Sequence, residues 1–200
     1  DLHSFPTRRS SDLEMICEDV WAPFPPSNNL AVAGADIIFN LSASNEVIGK
    51  HRYLKSLLAQ QSARTISAYV YASAGFGEST QDVVYGGNAM IFENGHLLVE
   101  GSRFSIQPQI QSCQVDVEKL RVERRTNTTF INAQRGAHAS EIICKPVAPR
   151  DFELQRDINP HPFIPKAEDM QTTCEEILNI QVAGLAKRLY HINATKAVIG

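Results

Sequence analysis

Short apolar runs and helix-spaced apolar residues alternate along this chain, and their periods predict its elements. Met15-Ile16-Cys17 is a short apolar run, closed by turn-forming Pro23, Pro25 and Pro26. Asn28 to Gly34 predicts a short helix and Asp36-Ile37-Ile38-Phe39-Asn40 a buried strand. From Tyr53 to Ala63, the residues Leu54, Leu57, Leu58 and Gln61 recur at helical spacing. Ala68 to Ala74 is strand-like and ends at Gly75-Phe76-Gly77. Asn88 to Phe92 and His96 to Glu100 are runs joined across Glu93-Asn94-Gly95, where Asn-Gly is a strong hairpin signal. Ser112 to Val117 is expected to pair next, and the charge alternation from Val117 to Arg125 predicts a solvated face. Strands and helices mixed in this order predict an α/β layered fold.

Beyond Cys144 the periodicity fades. Pro146 to Pro165 is dotted with prolines and reads as a linker. A helix follows from about Ala167 to Tyr190, with Met170, Cys174, Ile177, Leu178, Val182, Leu185 and Leu189 forming one apolar face. Lys196-Ala197-Val198-Ile199-Gly200 looks like a buried strand reaching a glycine turn, and such a strand needs sheet partners. The expected organisation is therefore a first domain over 14–145, a linker over 146–166 and the start of a second domain over 167–200. Residues 1–13 are polar and aperiodic, and HSFPTRRSSDL resembles the conceptual translation of a sequencing adapter. They are set apart from the fold as non-native, so the chain is expected to be a fragment at both ends.

Composition narrows the function classes. Nineteen Lys+Arg against 22 Asp+Glu give a net charge of −3, which argues against a nucleic-acid surface. The longest apolar stretch, Leu30 to Phe39, is interrupted by Gly34 and Asp36 and is too short to span a bilayer. Cys17, Cys113, Cys144 and Cys174 are widely spaced, without the density of a disulfide scaffold or the spacing of a zinc site. They are expected as reduced thiols in a cytoplasmic protein. The six His are scattered, so no metal site is expected. Gly75-Phe76-Gly77 and Gly86-Gly87 lack the strand and helix context of a phosphate-cradling loop.

Two stretches carry candidate chemistry. In Ile16-Cys17-Glu18-Asp19-Val20-Trp21, an apolar strand delivers a cysteine to its end, where α/β folds place reactive groups. A nucleophilic cysteine needs a base to form thiolate and donors for the oxyanion, and the following turn can offer a backbone N–H. Against this stands a lone Cys as a small buried hydrophobe. Asn40-Leu41-Ser42-Ala43-Ser44-Asn45, leading to Gly49-Lys50, leaves a strand in small hydroxyl residues that can wall a polar pocket, with Lys50 facing an anionic group. The simpler alternative is that Ser44 or Asn45 caps the next helix.

At these residues the sequence becomes familiar. The run from EMICEDVWAPFPPS through NLSASNEVIGKHRYLKSLLAQQSA, YASAGFGESTQDVVYGGNAMIFENGHLL and RRTNTTF resembles the carbon–nitrogen hydrolase (nitrilase-superfamily) domain of bacterial glutamine-dependent NAD synthetases. The resemblance reaches from about Glu14 to the C-terminus. Its last part, from Cys174-Glu175-Glu176 to Ala197-Val198-Ile199-Gly200, is similar to the start of their synthetase domain, just before the family's SGGxDS loop.

The resemblance implies an α-β-β-α sandwich, truncated here on its N-terminal side, and a Glu-Lys-Cys triad that hydrolyses glutamine through a thioester. Cys17 matches the nucleophile. Glu18 would lend its N–H to the oxyanion, Ser44 and Lys50 would hold glutamine, and Trp21 would wall the pocket. The family's base and lysine lie upstream of the cysteine and have no match here, so the fragment itself is expected to be inactive. Its glutaminase would supply ammonia for ATP- and Mg2+-dependent amidation of deamido-NAD in the parent enzyme, and no cofactor is expected in the fragment. The implied partners are glutamine, the remainder of the synthetase domain and further copies of the chain, with no nucleic acid and no membrane. Two other readings remain open: a stand-alone nitrilase-superfamily amidase, and a non-catalytic scaffold.

Overall fold

The computed structural model of the chain describes residues 13–78, 82–134, 136, 151, 153–165 and 167–198. The chain divides into two units, Asp1–Arg156 and Asp157–Gly200. Expectations for residues 1–12, for Cys144 and for most of the first linker residues, 146–150, lie outside the described residues.

The first unit is built on one five-stranded sheet in the order β1-β2-β3-β4-β5. Its strands are β1 (Leu13–Ile16), β2 (Ile37–Ser42), β3 (Ala68–Ser73), β4 (Ala89–Glu93) and β5 (His96–Glu100). The first three run parallel; β4 is antiparallel to β3, and β5 to β4. Helix α1 (Ser27–Val32) and helix α2 (Lys50–Thr65) serve as the parallel crossovers. The expected hairpin is present: Asn94 and Gly95 take φ values of +46° and +86°, the left-handed pair that a two-residue hairpin turn requires.

One face of the sheet is the core. Ile38 on β2, Tyr69 and Tyr71 on β3, and Met90 and Phe92 on β4 pack with Val20, Ala31, Leu54 and Leu58. The stripe expected on α2 is correct at Leu54, Leu58 and Gln61, all buried. Gln61 donates to Ser27 Oγ at 2.8 Å and Asn28 Oδ1 at 2.7 Å, tying α2 to α1. Along that same sheet face the facing pairs become polar toward the strand ends: Ile38–Tyr69, then Asn40–Tyr71, then Ser42–Ser73. β2 is therefore buried on one face only. On the other, Ile37, Phe39 and Val70 are half-buried, and Leu41 remains 51 % exposed.

Three expectations are corrected. Ser112 to Val117 forms no strand; side chains satisfy this stretch instead, as Glu93 accepts from the Asp116 N–H at 2.8 Å and Gln114 pairs with the backbone of Glu153 and Gln155. Val117 to Arg125 is solvated on one side only: it forms most of helix α3 (Val117–Thr126), exposed at Glu118, Lys119, Val122 and Arg125, N-capped by Asp116 and followed by α4 (Thr128–Ala133). Leu120 of α3 is fully buried, and Arg124 is only 6 % exposed. Its guanidinium donates to the carbonyls of Ile66 (2.9 Å), Ala35 (2.7 Å) and Thr65 (3.1 Å), and pairs with Asp36 at 3.3 Å. Burial pushes this guanidinium below its ordinary pKa while Asp36 opposes the shift.

The third correction is at the C-terminus of the second unit, where residues 196–198 form no strand and Ile199-Gly200 lie outside the described residues. No strand is present in this unit among its described residues, so a lone apolar run has nothing to pair with. The expected helix is present as α5 (Met170–His191), entered by a 3-10 turn at Ala167–Asp169; none of its residues is buried.

Candidate active site around Cys17

Three parallel strands end side by side. Ile16 pairs with Leu41 and Leu41 with Ala72, while Ser42 pairs with Ser73, so Cys17 is level with these serines at the carboxyl ends of β1, β2 and β3. That is where open α/β sheets bind their ligands. Cys17 opens a 3-10 turn, Cys17–Trp21, and its φ of +43° lies in the left-handed region. Such a conformation strains a non-glycine residue by about 1–3 kcal/mol and is concentrated at functional sites. The cysteine is a free, half-buried thiol.

The 3-10 turn carries Trp21 onto the first turn of α2. Trp21 stacks on Tyr53 with ring centroids 5.6 Å apart, and the Lys50 ammonium lies 5.4 Å from the Trp21 centroid. Lys50 is the first residue of α2 and donates to Asn45 O at 2.7 Å and Asn45 Oδ1 at 3.2 Å. An ammonium has three donors, so one is left for an anion. The cap expected at Ser44 or Asn45 is not formed: Gly49, at φ +84°, occupies the cap position of α2. Ser44 instead donates its backbone N–H to Ser73 Oγ at 3.5 Å. Thus Trp21, Lys50 and the Ser44–Asn45 loop share one site. Glu18 follows Cys17 with an exposed side chain, and its N–H belongs to the same 3-10 turn.

Several residues here were not singled out from the sequence. Tyr53 supports Trp21. Tyr71 is buried, and its hydroxyl has no hydrogen-bond partner among the described residues; nor has Asn40 Nδ2, on the facing residue of β2. Burial pushes the Tyr71 phenol up, and the nearby Cys17 adds to the rise. A polar residue inside an apolar strand was the available signal for Asn40. For Tyr71 there was none, because tyrosine is at home in a strand.

Around the same loop runs a chain of charged and amide groups. Glu46 accepts from Asn88 Nδ2 at 2.6 Å and from Arg103 at 2.7 Å. Asn88 Oδ1 lies 2.8 Å from His51 Nδ1, and His51 Nε2 lies 3.0 Å from Glu100. Lys55 also reaches Glu100, at 2.6 Å, and together with His51 holds its carboxyl below the usual carboxylate range. Among the described residues no acid or amine is hydrogen-bonded to the Cys17 thiol, and no group of three His, Cys, Asp or Glu could hold a metal. No helix among them is long and apolar enough to cross a membrane.

No family model matches the chain. In sequence it is 41 % identical over 195 residues to the glutamine-dependent NAD(+) synthetase of Mycobacterium tuberculosis (strain ATCC 25618 / H37Rv), covering 92 % of this chain and 28 % of that protein. Its homologues are glutamine-dependent NAD(+) synthetases. The Mycobacterium leprae synthetase is 40 % identical over the same shares of both chains. The chain thus spans little more than a quarter, 28 %, of the length of these synthetases. In structure it is similar to a carbon-nitrogen hydrolase from Helicobacter pylori G27, with a TM-score of 0.51 and 16 % identity over 60 % of this chain and 45 % of that one. That likeness establishes the α/β fold as the carbon–nitrogen hydrolase type expected.

Proposed function

We propose that this chain is the cysteine-bearing part of a glutaminase that feeds ammonia to an NAD(+) synthetase. What supports it most is one arrangement: Cys17, left-handed at a strand end, opens the turn whose Trp21 lies against Lys50 and Tyr53. The homology to synthetases that use glutamine favours the same reading.

The chemistry follows from the residues. The Cys17 thiolate attacks the side-chain amide carbon of glutamine, forming a C–S bond. The oxyanion is met by the Glu18 N–H, the C–N bond breaks, and nitrogen departs as ammonia after gaining a proton. Water then adds to the thioester, releasing glutamate and the thiol. Lys50 and Ser44 hold the amino-acid end, Glu18 offers a carboxylate to its ammonium group, and Trp21 forms the wall. The thiol's proton acceptor and the family's lysine are not among the residues matched here, so this polypeptide alone binds glutamine without turning it over at a useful rate. ATP and Mg2+ belong to amidation of the deamido-dinucleotide; the described residues hold neither a phosphate-cradling loop nor a metal-ligating cluster, and no step here runs through them. A homo-oligomer and a cytoplasmic setting that keeps Cys17 reduced belong to the same proposal.

The test is glutamine-dependent ammonia release by the full-length protein. Cys17→Ala should abolish it while leaving synthesis from added ammonia intact. Glutamine hydrolysis that survives Cys17→Ala would overturn the assignment.

A further inference from the structure

Glu46 sits midway along the loop that carries Ser44 and Lys50, yet its side chain is only 11 % exposed. A surface-loop carboxylate is seldom buried unless every lone pair is used. Here Oε1 accepts from Asn88 Nδ2 at 2.6 Å and Oε2 from Arg103 at 2.7 Å, while the Glu46 N–H donates to Val84 O at 2.7 Å. Asn45 forms a bridge with Tyr85 beside it. The backbone makes room for this carboxylate: a Cβ on Gly86 would lie 2.0 Å from Glu46 Oε1. A side chain at Gly86 would therefore have to displace the Glu46 carboxylate.

The contacts run from the loop to the helix it feeds. Asn88 turns its amide N–H2 to Glu46 and its carbonyl to His51, the residue next to Lys50. His51 and Lys55 are in turn fixed by Glu100 on β5. Ser44 is tethered at the other end through its N–H to Ser73 Oγ. The Glu46 carboxylate is therefore the central fastening of a loop whose two ends present Ser44 and Lys50. It touches neither the thiol nor the turn that opens at Cys17.

We infer that Glu46 is a positioning residue: by fastening the Ser44–Lys50 loop through Asn88 and Arg103 to the segments that flank the β4–β5 hairpin, it sets affinity for the amino-acid end of the substrate and leaves the covalent step alone. This rests on the glutaminase reading above. A charge-assisted hydrogen bond is worth enough for its loss to weaken binding by about tenfold or more.

The experiment uses full-length protein and two readouts. The first is the saturation kinetics of Cys17 alkylation by 6-diazo-5-oxo-L-norleucine, a glutamine-shaped diazoketone that forms an S–C bond as N2 leaves. The second is amide hydrogen exchange over residues 44–50. Glu46→Ala should raise the half-saturating concentration about tenfold, change the maximal alkylation rate less than twofold, and speed exchange of the loop. Glu46→Gln, which keeps the oxygen that Asn88 uses, should recover part of the affinity. Should Glu46→Ala fail to fold, Arg103→Gln removes one fastening from the exposed side and should shift the same two readouts in the same direction. Unchanged half-saturation in these variants overturns the inference, as does a maximal rate that falls while half-saturation holds. If wild-type Cys17 takes iodoacetamide but not the diazoketone, the glutaminase reading itself falls. Loop exchange then decides whether Glu46 fastens the loop, and unchanged exchange overturns that.

Discussion

Cys17 combines a strained backbone with the chemistry proposed for it. Its position after an apolar strand was legible in the sequence, because an apolar run followed by two carboxylates and a proline-rich turn marks a strand end. Its left-handed backbone was not, since no local rule sends a cysteine there; the turn geometry imposes it. Two neighbours allow predictions at this scale. The Tyr71 hydroxyl is buried without a partner among the described residues, so Tyr71→Phe should leave stability within about 0.5 kcal/mol of wild type or raise it, as measured by urea unfolding. A loss of several kcal/mol would mean that the hydroxyl is bonded. Glu93 is the second. Burial alone would raise its carboxyl pKa, but Arg156, which donates through NH1 at 2.6 Å and also through NH2, and the Asp116 N–H hold it below the usual value. A lowered folded pKa means a contribution fully present above the unfolded value of about 4.3 and lost as pH falls through the folded one. Thermal melts between pH 6 and 3 should therefore fall less steeply in Glu93→Gln than in wild type.

Among the elements, those whose periodicity matched their environment were readable: β2, β3, the hairpin and the α2 stripe. α3 was not. Its buried positions are Leu120 and Arg124, one turn apart, and an arginine on the inner face disguises an amphipathic helix as a charged run. What buries that arginine is a set of carbonyls at the end of α2 and ahead of β2, a partnership no local pattern discloses. Removing it leaves those acceptors unsatisfied, so Arg124→Met should cost about 3 kcal/mol. Leu120→Ala should cost about 2–4 kcal/mol for the cavity, both read from urea denaturation midpoints at constant m. An Arg124→Met protein as stable as wild type would show that the carbonyls find other donors.

At the level of the whole molecule, the sheet has one covered face and one half-open face on which Leu41 lies 51 % exposed beside half-buried Phe39 and Val70. Contiguous apolar surface of this kind drives association. The 200-residue chain expressed alone should scatter light increasingly with concentration, and Leu41→Lys should suppress the effect without lowering the unfolding midpoint by more than about 1 kcal/mol. Monodisperse wild-type protein at high concentration would contradict this. The Glu46–Asn88–His51 linkage was invisible to sequence reading for a different reason: its members are up to 42 residues apart and each is ordinary on its own.

The arginine of α3 also bears on how the chain is made. It closes the start of β2 and the end of α2 with contacts that reach back 58 to 89 residues. A ribosome adding about 5–20 residues per second leaves Ala35 waiting roughly 4–18 s for Arg124 to be synthesised. Throughout that interval the nascent β2–α2–β3 segment exposes carbonyls that nothing in it can satisfy. Chaperone occupancy during translation should accordingly peak before residue 124 emerges and decline once α3 docks.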